Sequence, residues 1–178
     1  MYIWQGDDPY FMKVGQLPEI KDAIDPQLSR AIGKSKSLYL KAIRSRSFGF
    51  GIGAVSYLRR IIEDETDTLM DLLKDDKWET WNKTERKQFE RARTTYQYSR
   101  KIEYAAESIL PPSVFANGRD SFTALHDVTS NGLHGKTEEE CIAIFDKCNL
   151  IFTRTFRKLF EDKRERDEFT AQLTDLKR

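Results

Sequence analysis

The chain has 178 residues, with 30 Lys and Arg against 29 Asp and Glu and a formal net charge of +1. That length suffices for one domain with a real core and is short for two. The near-zero charge excludes a protein coated in positive charge, and 12% aromatic residues exclude an intrinsically disordered chain.

Residues 1–17 read as an irregular arm. Gly6, Pro9 and Gly15 interrupt it, and it carries the aromatics Tyr2, Trp4, Tyr10 and Phe11, which are expected to pack on the rest of the chain. Its opening, MYIWQGDDPYF, has two acids and no basic segment, unlike a signal peptide. From residue 18 to 178 the pattern reads as one helical-bundle domain ending in a charged helix. Asp25-Pro26 supplies a helix start, an N-cap acid followed by Pro at the first helical position. Leu28, Ile32, Tyr39, Ala42 and Ile43 continue one face, with room for a break at Gly33. Phe48-Gly-Phe-Gly-Ile-Gly53 has glycine at every second position, which suits a helix interior poorly. It is either a loop between helices or a helix start where small residues admit another backbone. It is not a phosphate loop, because no Lys-Ser/Thr follows and no strand precedes.

The clearest amphipathic run is Val55, Leu58, Ile62, Leu69, Leu72 and Leu73. After a link with Trp78 and Trp81, Thr84 reads as the N-cap of one long helix burying Phe89, Ala92, Tyr96, Ile102, Ala106 and Ile109, stopped by Pro111-Pro112. A loop with Asn117-Gly118 leads to a short helix from Asp120 to about Thr129, ended by Ser130-Asn131-Gly132. Thr137-Glu-Glu-Glu140 matches a capping box. The last helix buries Cys141, Ile144, Phe145, Cys148, Phe152, Phe156 and Leu159, and then carries the charged run Glu161–Glu168. Nothing reads as a strand. The expectation is an all-α bundle of four to six amphipathic helices, mostly antiparallel.

No run approaches the roughly 20 apolar residues that cross a bilayer. Cys141 and Cys148 lie about 10 Å apart along a helix, too far to bond. No Cys/His pair has zinc-ligand spacing. A reducing, cytoplasmic setting follows, with no metal, cofactor or membrane expected.

Charge is sorted along the chain. Residues 26–62 carry eight Lys/Arg and no acid, and residues 63–79 carry eight acids against Lys74 and Lys77. Residues 83–101 return to basic. There Arg86, Arg93 and Arg100 repeat every seven residues, with Tyr98 nearby, a mix able to grip phosphates or stack on bases. The opposing reading is that basic helices pack beside the acidic one and neutralise it.

Of the two histidines, His126 precedes Asp127 on a short helix and reads as packing. His134 stands between a helix stop and a new helix start. The unpaired N–H groups there favour a neutral imidazole and attract an anion. A surface or capping histidine fits that position as well.

The stretch Tyr57-Leu-Arg-Arg-Ile-Ile-Glu63, with Asn131-Gly-Leu-His134 before the final helix, resembles the HEPN superfamily. It is most similar to an uncharacterised bacterial and archaeal branch with an LRR-x-(I/L)-E helix and a terminal GxxH turn. Lys13–Pro18 and Ser130–Glu140 resemble that branch too, so the likeness spans residues 13–160. It implies a helical bundle, dimerisation, and RNA cleavage, RNA binding or anti-phage roles. In active members an Arg shortly before the His stabilises phosphate charge while the His moves a proton. Here Asp127, Val128 and Thr129 occupy that stretch, and only the His matches. Arg59 or Arg60, approaching from another helix, would restore a cation; the opposing reading pairs them with Glu63 or Asp64.

Three functions follow as expectations. The first is a non-catalytic HEPN-like module, homodimeric, binding RNA or a partner protein in a prokaryotic regulatory or defence setting. The second is a metal-independent RNase using His134 with Arg59 or Arg60, alongside Glu63 and Asn131. The third is a purely structural interaction domain. For RNA contact the candidates are Arg86, Arg93, Arg100 and Tyr98.

Overall fold

Asp25 starts the first helix as its sequence foretells. Its carboxylate accepts the Leu28 N–H at 2.9 Å, and Pro26 occupies the first turn. The computed structural model describes residues 2–3, 12–13, 24–110, 114–116, 119–131, 133 and 135–176. The helices are α1 (Pro26–Ala31), α2 (Lys36–Ser47), α3 (Gly51–Lys77), α4 (Lys83–Arg93), α5 (Tyr98–Ile109), α6 (Ser121–Asn131) and α7 (Glu138–Asp175), with a 3-10 turn at Gly33–Ser35. The molecule is an all-α bundle. Among the described residues no helix is long and apolar enough to cross a membrane.

Two minimal ladders depart from a reading without strands. Tyr2–Ile3 (β1) pairs antiparallel with Met12–Lys13 (β2), and Phe115–Ala116 (β3) with Arg119–Asp120 (β4). Each strand is only two residues long, too short to show an alternating pattern. The expected packing of Trp4, Tyr10 and Phe11, the stop at Pro111-Pro112 and the loop Asn117-Gly118 lie outside the described residues. Leu110, just before Pro111, is extended with ψ 130°, the conformation a following proline favours.

Helix α3 is the central element and packs against α2, α5, α6 and α7. Both readings of the glycine-rich segment hold, one after the other. Gly49 turns the chain at φ +86°, a backbone conformation that side chains disfavour. Gly51 then starts α3 against the first turn of α7. A Cβ there would overlap the Glu138 carbonyl and lie 2.6 Å from the Ile142 amide nitrogen. Glu138 answers the same contact by accepting the Ile52 N–H at 2.8 Å. The Thr137 box caps α7 with both of its reciprocal bonds.

The main core joins α1, α2, α3, α5, α6 and α7 through Leu28, Ile32, Tyr39, Val55, Leu58, Ile62, Ile102, Leu125, Phe145 and Phe152. Burying each such side chain contributes about 1.5–3 kcal/mol. Cys141 and Cys148 belong to it as buried side chains. Tyr39 stacks on Phe152 and donates to Asn149 at 2.8 Å, which ties α2 to α7. A second, smaller core lies at the far end of α3. There Phe89 of α4 meets Met70, Leu73, Ala105, Trp78, Trp81 and Tyr104.

The single helix expected from Thr84 onward is two. Asn82, not Thr84, caps α4, in a box with Glu85. Residues 94–97 then separate α4 from α5. The Thr94 hydroxyl bonds back to the Glu90 carbonyl at 2.8 Å and the Thr95 hydroxyl accepts the Gln97 N–H. Such local bonds compete with helix continuation. Tyr96, expected inside, is fully exposed.

Candidate functional site

The chemistry-bearing residues of α3 meet those of α5 and α6 along one side of the helix. Arg59 Nε lies 3.0 Å from Glu63 Oε1 and Arg60 Nε 3.2 Å from Asp64 Oδ1. Arg60 also reaches Glu63 at 3.8 Å. These are the i,i+4 and i,i+3 pairs that the sequence spacing allows. Glu63 is nearly buried, so its pair with Arg59 holds more than surface value.

One turn further on, Asp67 crosses to α5. It accepts hydrogen bonds from Lys101 Nζ at 2.8 Å and from the Tyr98 hydroxyl at 3.1 Å. The Lys101 side chain is 9% exposed, and its ammonium also sits 4.7 Å from the Tyr98 ring centre. Burial raises the Tyr98 pKa, and the negative charge of Asp67 adds to it, so the phenol keeps its proton and stays a donor.

His126 projects from α6 into the same region and is buried. Its Nε2 lies 3.3 Å from the Ser130 hydroxyl, and among the described residues Nδ1 has no hydrogen-bond partner. Nδ1 lies 3.9 Å from Asp127 Oδ1, too far for a hydrogen bond. Burial lowers the His126 pKa, and the Arg59 charge lowers it further; Glu63 and Asp127 act the other way. The ring is therefore neutral near pH 7.

Between the start of α2 and α3 an open groove of about 350 Å³ is lined by Lys34, Ser35, Ser37, Leu38, Asp64 and Asp67. At its base Ser35 donates to the buried Glu65 at 2.6 Å. Burial raises the Glu65 pKa, while the Ser35 bond and the Lys34 charge resist.

The residues expected from sequence thus have different fates. Arg59, Arg60 and Glu63 come together, and Asp64 joins them. The charges of Arg59 and Glu63 reach His126. His134 lies outside the described residues. Asn131 is the exposed last residue of α6. Arg86 lies over the Trp78 ring at 5.0 Å, Arg93 pairs with Asp71, and Tyr98 is held by Asp67. Arg100 is exposed beyond the break at 94–97, so the three arginines do not form one continuous helical stripe. The contacts that spacing could not supply are Asp67 with Lys101 and Tyr98, and His126 beside Arg59 and Glu63. The one signal was that Tyr98 and Lys101 stand three apart on a helix.

The chain matches no protein-family model, no curated protein and no solved structure.

Proposed function

We propose that the protein is a HEPN-like helical module that binds RNA without cleaving it, as a homodimer, in the cytoplasm of a prokaryote and in a regulatory or defence role. One observation supports the non-catalytic part above others. Arg59 and Arg60, the cations that would have to serve the phosphate, are already engaged by Glu63 and Asp64. His126 is buried and neutral. What supports RNA as the ligand is the basic sector of residues 26–47, which holds no acid.

The test incubates purified protein with labelled structured RNA, without metal, beside His134→Ala. Binding without cleavage in both is the expected result. Cleavage lost in His134→Ala overturns the non-catalytic reading and restores the RNase. Absence of salt-dependent RNA retention at low ionic strength overturns the RNA reading in favour of a partner protein. Light scattering checks the dimer: a monomeric mass at micromolar concentration contradicts it.

A further inference from the structure

The sequence points to α4 and α5 as the basic face, and the structure leaves a second one open on α2. On α2, Ser37 and Lys41 stand four residues apart, and Phe48 comes seven further on, just past the helix end. All are exposed. They share one outward stripe about 16 Å long. Lys34 and Lys36 stand exposed at its start. Among the described residues no carboxylate forms an ion pair with Lys34, Lys36 or Lys41. At the other end the chain turns, and Phe48 (46% exposed), Phe50 (59%) and Ile52 (40%) stand out of the surface together. None of these three belongs to either core.

We propose that this stripe is the RNA-binding face and that its ligand is a single strand. The lysines would follow the phosphate backbone along α2, and Phe48 and Phe50 would stack on unpaired bases at the turn. This inference rests on the RNA reading above and names its surface. A linear polyanion suits the layout. The positive charges run along the helix axis, and the flat apolar rings lie at one end of that line, the combination that grips single strands without reading their sequence. A duplex offers the same phosphates but keeps its bases stacked away from the rings. An anionic bilayer fits less well. It would meet the turn end-on, leaving Lys41 about 10 Å behind.

The test measures binding of a fluorescent twelve-nucleotide oligouridine by the full chain and by Phe48→Ala, Phe50→Ala and Lys41→Glu. These positions are exposed, so circular dichroism should match the parent. The expected result is about ten-fold weaker binding for each Phe variant. Lys41→Glu should also bind more weakly, with a slope of log K against log salt shallower by about 0.7 for each phosphate the variant no longer neutralises. An RNA duplex of equal length should bind the parent more weakly and be indifferent to the Phe variants. Three results overturn the assignment while leaving RNA binding intact: α2 variants that bind as the parent, losses confined to Arg86→Ala and Arg100→Ala, or a duplex bound as well as the single strand. Parent protein that ignores RNA but binds phosphatidylserine vesicles through Phe48 and Phe50 overturns both this face and the RNA reading.

Discussion

Two stretches of this chain carry nearly the same basic character and are answered differently by α3. Along α4 and α5, Arg93 pairs with Asp71, Lys101 pairs with Asp67 and Arg86 lies over Trp78, while Lys83, Lys87, Arg91 and Arg100 stand exposed. Along α2, Arg46 pairs with Asp146 of α7, and Lys36 and Lys41 face outward. The difference comes from α3. Its first twelve residues, Gly51–Ile62, hold no acid, and the acids begin at Glu63. Arg93 and Lys101, packed beside the later half, find carboxylates on α3, whereas most of α2 lies beside the earlier half. Charge sorting in the sequence therefore reports α3 packing partners for Arg93 and Lys101, and α3 offers the lysines of α2 no such ion pair among the described residues.

The largest test asks what holds α4 in place. If packing rather than charge does so, Phe89→Ala should cost about 3–5 kcal/mol, because the ring is fully buried between Trp78, Trp81 and Tyr104. Urea unfolding followed by tryptophan fluorescence would measure it. A cost below about 1 kcal/mol would mean that the ion pairs carry α4, and the contrast with α2 would lose its basis.

Next in size is the link between α3 and α5. Asp67→Asn leaves the buried Lys101 ammonium without its counter-charge. Breaking a buried pair costs about 3–5 kcal/mol, but Asp67 is half exposed, so about 1–2 kcal/mol is expected. Lys101→Met should cost less, since it removes the buried charge as well. Equal costs from the two variants would show that the ammonium is solvated and the pair is only a surface one.

A smaller effect marks the boundary between the two halves of α3, where Arg59 and Glu63 face His126. The folded state holds the His126 pKa below its usual 6.5. Between those two values the unfolded chain binds more protons than the folded one. Stability from this group is therefore complete above pH 6.5 and is lost as pH falls through the folded value. Glu65 works in the opposite sense. Its pKa is raised above 4.5, so its contribution is present below pH 4.5 and fades as pH rises. Thermal unfolding between about pH 7.5 and 5.5 should show a falling melting temperature that His126→Gln flattens. An unchanged slope in that variant would place the titration elsewhere.

What the sequence disclosed follows from where each interaction is encoded. Asp25-Pro26, the Thr137 box and the Arg59–Glu63 and Arg60–Asp64 pairs are local, fixed by spacing within one helix, and all are present. The break at 94–97 escaped because Phe89, Ala92, Ile102 and Ala106 keep a helical rhythm across it, while the competing Thr94 and Thr95 bonds leave no periodic signature. Asn82-Lys-Thr-Glu85 offers a capping box two residues ahead of Thr84. The contacts of Asp67 with Tyr98 and Lys101, and the reach of the Arg59 and Glu63 charges to His126, depend on which faces of three helices meet. No single-helix pattern specifies that.

The finest test turns the comparison into a difference of sign. Arg93→Glu would bring a carboxylate against Asp71 and three residues from Glu90, so it should destabilise, by up to about 1 kcal/mol for a partly exposed site. Lys41→Glu would place a carboxylate three residues before Arg44 on a helix without acids. It should stabilise by about 0.2–0.5 kcal/mol while weakening any grip on a polyanion. High salt should shrink both effects, since at 1 M the screening length is about 3 Å. Opposite signs in guanidine-free thermal melts would confirm that α2 carries charge its own fold does not need. Destabilisation by both would mean that α2 is answered from within the chain, and its lysines would then lose their claim to an outside partner.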